Sequence, residues 1–93
     1  MPSYNLQNAA SRAQYRAGYE AELAAAQDGT WPRDLNDQMR WQNLPKMPYD
    51  PPEVVQAAHR AYVARICKQE LDYLDDLERR IRAGSPDLAG YEL

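Results

Sequence analysis

The chain has no phenylalanine and a single cysteine, and its isoleucine and valine are scarce. One cysteine excludes an intramolecular disulfide and a cysteine-based zinc site, and such low cysteine usage is typical of a reducing compartment. Much of the 44% apolar content is alanine, and a chain of 93 residues buries only about 60–65% of the surface that it exposes when unfolded. The sequence therefore predicts one small domain, over residues 1–93, with a thin core.

Long apolar runs and basic clusters are missing as well. No run approaches the roughly 20 residues that a membrane-spanning helix needs, and Met1–Ala10 lacks the basic start and apolar core of a secretory signal. The formal net charge of −3 and the pI near 5.0 argue against direct nucleic-acid binding, which needs a basic patch. We expect an intracellular protein in a reducing compartment, and an organellar location with the presequence already removed stays open.

Catalytic motifs are also absent, since there is no Gly-rich phosphate loop, no G-x-S-x-G and no H-E-x-x-H. His59 and Cys67 are eight residues apart in one predicted helix, about 12 Å along its axis, so they cannot form a nucleophile–base pair. We expect His59 at the edge of a packed face and Cys67 as a small buried apolar residue. The sequence predicts no enzyme, no cofactor and no metal site.

An acidic cluster in the last third of the chain is the remaining candidate for cation binding. Its carboxylates are about one helical turn apart, but the usual calcium loop and its glycine are missing. Arginine and lysine are interleaved at i,i+4 spacing, which predicts a solvated, salt-bridged face. The cluster comprises Glu70, Asp72, Asp75, Asp76 and Glu78, and the predicted pairs are Lys68–Asp72, Asp75–Arg79, Asp76–Arg80 and Glu78–Arg82.

Among the features that are present, signals at both ends predict a single long helix over about residues 51–83. At its start, Asp50 is the expected N-cap, a proline takes the first helical position, and Glu53 makes the reciprocal cap. Tyr49 and Val54 occupy the two positions of a hydrophobic staple. At 1.5 Å per residue this helix would span about 50 Å, so it sets the architecture.

The end of this helix and its packed face are marked as clearly. Gly84 can adopt the left-handed terminating conformation and Pro86 blocks continuation, while arginines in the last turn complement the helix dipole. Because the N-terminal half is apolar around much of its circumference, we expect it to be more enclosed than the charged C-terminal half. The apolar stripe comprises Val63, Cys67, Leu71, Leu74, Leu77 and Ile81.

An alanine-rich helix is predicted from about Asn5 or Asn8 to Asp28, with Gly29 ending it. Alanine recurs every four residues, and small side chains at that spacing let another helix approach closely. We expect this stripe to pack on the long helix in an antiparallel hairpin, although alanine is also simply the best helix former. The stripe is Ala9, Ala13, Ala17, Ala21 and Ala25, beside a ridge of Tyr15, Tyr19 and Leu23.

Residues 30–50 are rich in proline and tryptophan and are named the arm below. Within the arm, Asp34–Asn43 is expected to hold about two helical turns with Leu35 and Met39 on one face. Lys46–Tyr49 is expected to be extended, because a residue before proline avoids the helical region. This composition differs from the glycine and serine of a flexible linker. We therefore expect the arm to lie along a surface, its own or a partner's.

The predicted fold class is all-α. A long C-terminal helix (about 51–83) pairs with an alanine-rich N-terminal helix (about 8–28), and the arm with its short helix joins them. Residues 84–93 form a tail that is either loose or docked.

Every aromatic side chain carries a hydrogen-bonding group, since the aromatics are seven tyrosines and two tryptophans. Such side chains are enriched where one side is packed and the other is wet, and they dominate binding hot spots. The alternative is that they form an intramolecular lid over the helix pair. The predicted partner-contact residues are Tyr15, Tyr19, Trp31, Trp41 and Tyr49.

These features indicate a non-enzymatic protein whose role is protein–protein contact. The first hypothesis is a small structural or accessory subunit of a larger assembly, either a multisubunit complex or a virus particle. Its partners would be other protein subunits, and a homo-oligomer stays open. The alternative is a small acidic inhibitor or regulator that occupies a basic site on a partner protein, although arginines on the long helix interrupt a continuous negative stripe.

Overall fold

The computed structural model describes residues 5–93, so the first four residues of the Met1–Ala10 segment lie outside the described part. It contains four helical elements and, over residues 5–93, no strand. The all-α prediction is confirmed. The elements are α1 (Ala9–Asp28), α2 (Leu35–Arg40), α3 (Pro52–Arg82) and a 3-10 turn (Pro86–Leu88).

The long helix and the alanine-rich helix form the predicted antiparallel pair. Near the start of α1, Arg16 donates to Asp75 at 2.8 Å and to Glu78 at 3.1 Å, both late in α3. At the other end of α1, Ala26 packs in one cluster with Val63. The described chain measures 51 × 21 × 21 Å, so α3 sets its length.

The C-terminal end of α3 is formed as the sequence predicts. Gly84 has φ +77°, a conformation that residues with a Cβ rarely adopt, and its N–H donates to the Ile81 carbonyl at 3.0 Å. The Ser85 N–H donates to the Arg80 carbonyl at 3.2 Å. These two bonds satisfy carbonyls that have no partner within the helix, and the chain then turns into the 3-10 segment.

The predicted start of α3 is wrong in its details. Pro51 is the N-cap and no side chain caps the helix, so Asp50 and Glu53 do not form the expected pair of caps. Tyr49 is 98% exposed, so it does not staple onto Val54. The reason is that the helix begins one residue later than expected, so Asp50 lies before the N-cap. The Pro51 carbonyl accepts the first helical bond, from the Val54 N–H at 3.0 Å, and Pro52 has no N–H to satisfy.

A matched pair of cap substitutions tests this difference between the two long helices. The Asn8 side chain caps α1 by accepting from the Ser11 N–H at 2.9 Å, so Asn8→Ala should lower the free energy of unfolding by about 0.5–2 kcal/mol. Asp50→Ala should stay within about 0.5 kcal/mol of wild type, as exposed substitutions usually do. Urea unfolding followed by circular dichroism measures both, and equal losses would contradict the assignment of caps.

The alanine stripe of α1 does not form the packing face. Ala13, Ala17 and Ala21 are exposed, and Ala25 is the one buried member of the stripe. The rotation of α1 about its axis follows its long polar side chains, because Tyr15 and Arg16 form hydrogen bonds with carboxylates of α3. A larger residue at Ala17 would therefore point to solvent and would not overpack the contact between the helices. The buried residues of α1 are Arg12, Glu22, Ala25 and Ala26.

The apolar stripe of α3 packs as predicted, but the more enclosed half is the C-terminal one. Val63 is the first buried residue of α3, and Val54, Ala57 and Ala61 are exposed. The last turn of α1 meets α3 at Val63, so the first turns of α3 lie beyond the end of α1. The expected enclosure of the N-terminal half is therefore wrong. The buried stripe residues are Val63, Cys67, Leu74, Leu77 and Ile81, and Leu71 is half-buried.

The charged residues of α3 pair mostly with groups outside their predicted i,i+4 partners. Within residues 5–93 none of the four predicted pairs forms an ion pair. Asp75 and Glu78 instead bind Arg16 of α1, because the antiparallel alignment brings its guanidinium between them. Other pairs are Asp76 with Arg79 and Asp87 with Arg80. The acidic cluster is therefore partly neutralised by its own chain.

The C-terminal tail is docked on the start of α1. The Glu92 N–H donates to the Gln7 carbonyl at 2.9 Å, and the Glu92 carboxylate accepts from the Ala9 N–H at 3.1 Å. The buried guanidinium of Arg12 donates to the carbonyls of Leu6 and Glu92. The tail thus satisfies donors at the N-terminus of a helix, where a carboxylate is also favoured by the helix dipole.

Candidate interaction surface

Two carboxylates are buried where the arm crosses α1. Glu22 of α1 and Asp37 of α2 are each 2% exposed, and both are held by groups of the arm. Buried carboxylates need hydrogen-bonded partners, and here arginines and an indole supply them. This cluster decides how the short helix sits on the molecule.

Asp37 fixes the orientation of α2. Its carboxylate accepts from Nε and Nη2 of Arg33 at 2.8 and 2.9 Å, and from the Arg33 backbone N–H at 2.8 Å. The Asp37 N–H donates in turn to the Asp34 side chain, which caps the helix. The hydrogen bonds from Arg33 lower the pKa of Asp37 to about 2, so this carboxylate is ionised at neutral pH.

Glu22 binds the arm from the α1 side. Its carboxylate accepts from Arg40 Nη1 at 2.9 Å and from Trp41 Nε1 at 3.1 Å, and Arg33 Nη2 lies 3.7 Å away. Burial raises the pKa of Glu22 despite the nearby arginines. Glu22 therefore connects α1 to three residues of the arm through one carboxylate.

Because Asp37 faces inward, the outer face of α2 is apolar. Leu35 is 69% exposed and Met39 is 67% exposed, one helical turn apart. The exposed Asn36 and Gln38 between them carry no charge, and the exposed Asp34 and Arg40 flank the pair. A short surface helix normally buries its leucine and exposes its aspartate. In α2 this arrangement is reversed, and the ionic cluster holds it in place.

Apolar residues are exposed on two other helical faces. The solvent side of α1 presents alanines, and the first turns of α3 present Val54, Ala57 and Ala61. Tyr49, immediately before α3, is 98% exposed. A segment that is apolar on most sides is normally buried, but in this chain the apolar side chains of these turns of α3 are left exposed to solvent.

The structure places the two tryptophans differently from the other predicted contact residues. Trp31 is 1% exposed and lies in one core cluster with Ala25 and Val63. Trp41 is half-buried and packs against the same cluster, and its ring meets Tyr62 edge-on with centroids 6.1 Å apart. Both tryptophans therefore occupy the lid position that was the alternative interpretation.

The three tyrosines occupy two different settings. Tyr15 and Tyr19 lie half-buried between α1 and α3 with ring centroids 4.9 Å apart, and the Tyr15 hydroxyl donates to Glu70 at 2.8 Å. Burial raises the pKa of both hydroxyls, so they are neutral at physiological pH. Tyr49 stands apart and exposed. Partner contact through the five aromatic residues stays a prediction.

Leu35 and Met39 are exposed residues that the contact prediction left out. Their i,i+4 spacing in the sequence was a signal of a shared face, but the sequence did not indicate that this face points to solvent. The sequence signal for this exposure is the i,i+4 spacing of Arg33 and Asp37. An ion pair at this spacing can turn Asp37 inward, and Leu35 then points outward.

The two residues with the most reactive side chains, His59 and Cys67, are both in contact with the rest of the fold. His59 Nε2 lies 2.8 Å from the Pro45 carbonyl, and burial raises the pKa of the Cys67 thiol to about 12. In the described part of the chain, no three His, Cys, Asp or Glu residues are grouped to hold a metal ion. The helices over residues 5–93 include none that is long and apolar enough to cross a membrane.

Comparison of the chain with models of protein families, with curated proteins and with solved structures gave no match.

Proposed function

We propose that this chain is a non-enzymatic protein–protein interaction protein, a small structural or accessory subunit of a larger assembly. The assembly is a multisubunit complex or a virus particle. The observation that carries this proposal is the inverted burial pattern of α2, in which Leu35 and Met39 point outward while Asp37 is buried.

The energetics of this reversal favour a partner. Fully burying a leucine or methionine side chain contributes about 1.5–3 kcal/mol relative to leaving it exposed, and burying a carboxylate is costly unless it is paired. The isolated chain lacks the first contribution, and it offsets the second cost only by pairing Asp37 with Arg33. Contact of the outer face of α2 with another protein would recover the apolar term without disturbing the Asp37–Arg33 pair.

We propose that the occupant of this face is an apolar groove on a different protein. Helix α2 is only six residues long, whereas a stable interface buries about 800 Å² per partner. A symmetric contact between two α2 faces would be too small by itself. A groove can enclose both side chains of one short helix, as in other helix-in-groove complexes.

The acidic-inhibitor hypothesis receives less support. A mimic of nucleic acid needs a continuous negative surface, but Arg16 and Arg79 neutralise carboxylates of the acidic cluster within the chain. The remaining exposed carboxylates are interleaved with exposed cationic side chains such as Lys68 and Arg82. This pattern is typical of a solvated face.

The double variant Leu35→Ala/Met39→Ala tests the interaction face. Because both side chains are exposed, thermal melting should stay as in wild type. Proteins that co-purify with the tagged full chain from its native cells should be lost, with affinity for an identified partner at least about tenfold weaker, which corresponds to 1.4 kcal/mol.

Leu93→Ala is the matched control, since Leu93 is 81% exposed and lies at the far C-terminus. It should keep the same partners as wild type. Light scattering of the purified chain separates the occupants, because self-association that the double variant abolishes would identify a second copy instead. Retention of all partners by the double variant would overturn the proposed face.

A further inference from the structure

The carboxylates of Glu22 and Asp37 lie on either side of one guanidinium at the contact between α1 and the arm. A single nitrogen, Arg33 Nη2, lies 2.9 Å from one Asp37 oxygen and 3.7 Å from one Glu22 oxygen. Both acidic residues are 2% exposed, so little water separates the two negative charges. Like charges that share a dry site disfavour ionisation of both groups at once.

The cations that face Glu22 all belong to the arm. Tyr19 on α1 and Cys67 on α3 are the other titratable groups near it, and burial raises the pKa of both, so neither supplies charge at neutral pH. Arg33 and Arg40 supply the positive charge, but their side chains are 39% and 42% exposed. Water therefore screens the cations more than the buried carboxylates.

We propose that Glu22 and Asp37 hold one proton between them in mild acid, and that uptake of this proton by Glu22 tightens the docking of the arm on α1. The proton comes from solvent. A protonated Glu22 can donate its O–H to the Asp37 carboxylate, which keeps its two bonds to the Arg33 guanidinium and the one to the Arg33 backbone N–H. The repulsion between the two carboxylates is thereby replaced by a hydrogen bond.

The direction of the pH dependence follows from linkage. Burial raises the pKa of Glu22 above its ordinary 4.5, so the docked state binds the proton more tightly than the unfolded chain. This contribution to stability is therefore gained as the pH falls from neutral towards 4.5. The pKa of Asp37 is lowered from 3.8 to about 2, so its contribution is lost only as the pH falls through that range.

Hydrogen exchange and NMR on the full chain test the proposal directly. The carboxyl carbon of Glu22 should titrate with a midpoint above 4.5, and amides of the arm should be more protected near pH 5 than at pH 7 after correction for intrinsic exchange. A Glu22 midpoint at or below 4.5, or arm protection that falls over this interval, would overturn it.

Glu22→Gln imitates the protonated side chain and provides an independent test. At pH 7 this variant should melt at a higher temperature than wild type, and the difference should shrink as the pH falls towards 4.5. Glu20→Gln, on the exposed side of α1, makes the same charge change and should leave melting unchanged. Asp37→Asn should melt lower at pH 7. If Glu22→Gln is destabilised like Asp37→Asn, Glu22 is an ordinary ion-pair partner and the proposal fails.

Discussion

Trp31→Ala should strongly destabilise the isolated chain and lower its melting temperature. Truncation of a buried tryptophan costs about 3–5 kcal/mol, and small domains have only about 5–15 kcal/mol of stability in total. Trp31 is 1% exposed. Its backbone N–H donates to the Ala25 carbonyl at 2.9 Å, and its backbone carbonyl accepts from Arg60 Nε at 2.7 Å. The ring therefore fills the junction of α1, the arm and α3. Circular dichroism during heating measures the loss.

Two further variants separate packing from other roles of the tryptophans. Within residues 5–93 the Trp31 indole N–H has no hydrogen-bond partner, so Trp31→Phe loses volume but no bond and should cost much less than alanine. Trp41→Ala should fall between the two, because Trp41 is half-buried and bonds to Glu22. If Trp31→Ala melts like wild type and only loses a partner, Trp31 is a contact residue.

The long helix could be predicted because its signals are local. The positive φ of Gly84 and the apolar spacing of residues such as Val63 and Leu74 follow from the chain within one or two turns. The sequence does not predict its start correctly, because two consecutive prolines are compatible with a first helical residue at either Pro51 or Pro52, and the helix begins at Pro52. Local patterns thus fixed the position of the helix more reliably than its hydrogen bonds.

The rotation of α1 could not be predicted from its repeat. Alanine at every fourth position is compatible with close packing and with exposure alike, because its side chain contributes little to either. The outcome was decided by pairs far apart in sequence, such as Tyr15 with Glu70 and Arg16 with Asp75. Such pairs are visible only after the two helices have been aligned.

The exposure of the candidate interaction face could not be predicted from the sequence for a related reason. Leu35 and Met39 share a face by their spacing, and hydrophobicity alone predicts that this face is buried. Its exposure depends on Asp37, which is held by Arg33 within the arm and lies beside Glu22 of α1. The bonds of Asp37 to Arg33, and those of Glu22 to Arg40 and Trp41, thus hold α2 with its leucine and methionine exposed, although their spacing alone predicts a buried face.

Leu74→Ala should lower the free energy of unfolding by about 2–5 kcal/mol, the range found for truncation of buried leucines. Leu74 is 0% exposed and lies on the packed stripe of α3, where the thin core leaves few other large side chains to close a cavity. Each kcal/mol shifts the melting temperature by about 4–8 °C in a domain of 60–100 residues, so a drop of at least about 8 °C is expected.

Leu35→Ala is the matched control for Leu74→Ala, because it removes the same atoms from a leucine that is 69% exposed. It should stay within about 0.5 kcal/mol of wild type in the isolated chain. In complex with a partner that covers α2, however, Leu35→Ala should destabilise the complex, because that contact buries the side chain. Equal losses from the two variants in the isolated chain would mean that Leu35 is packed inward, and the proposed interaction face would then be wrong.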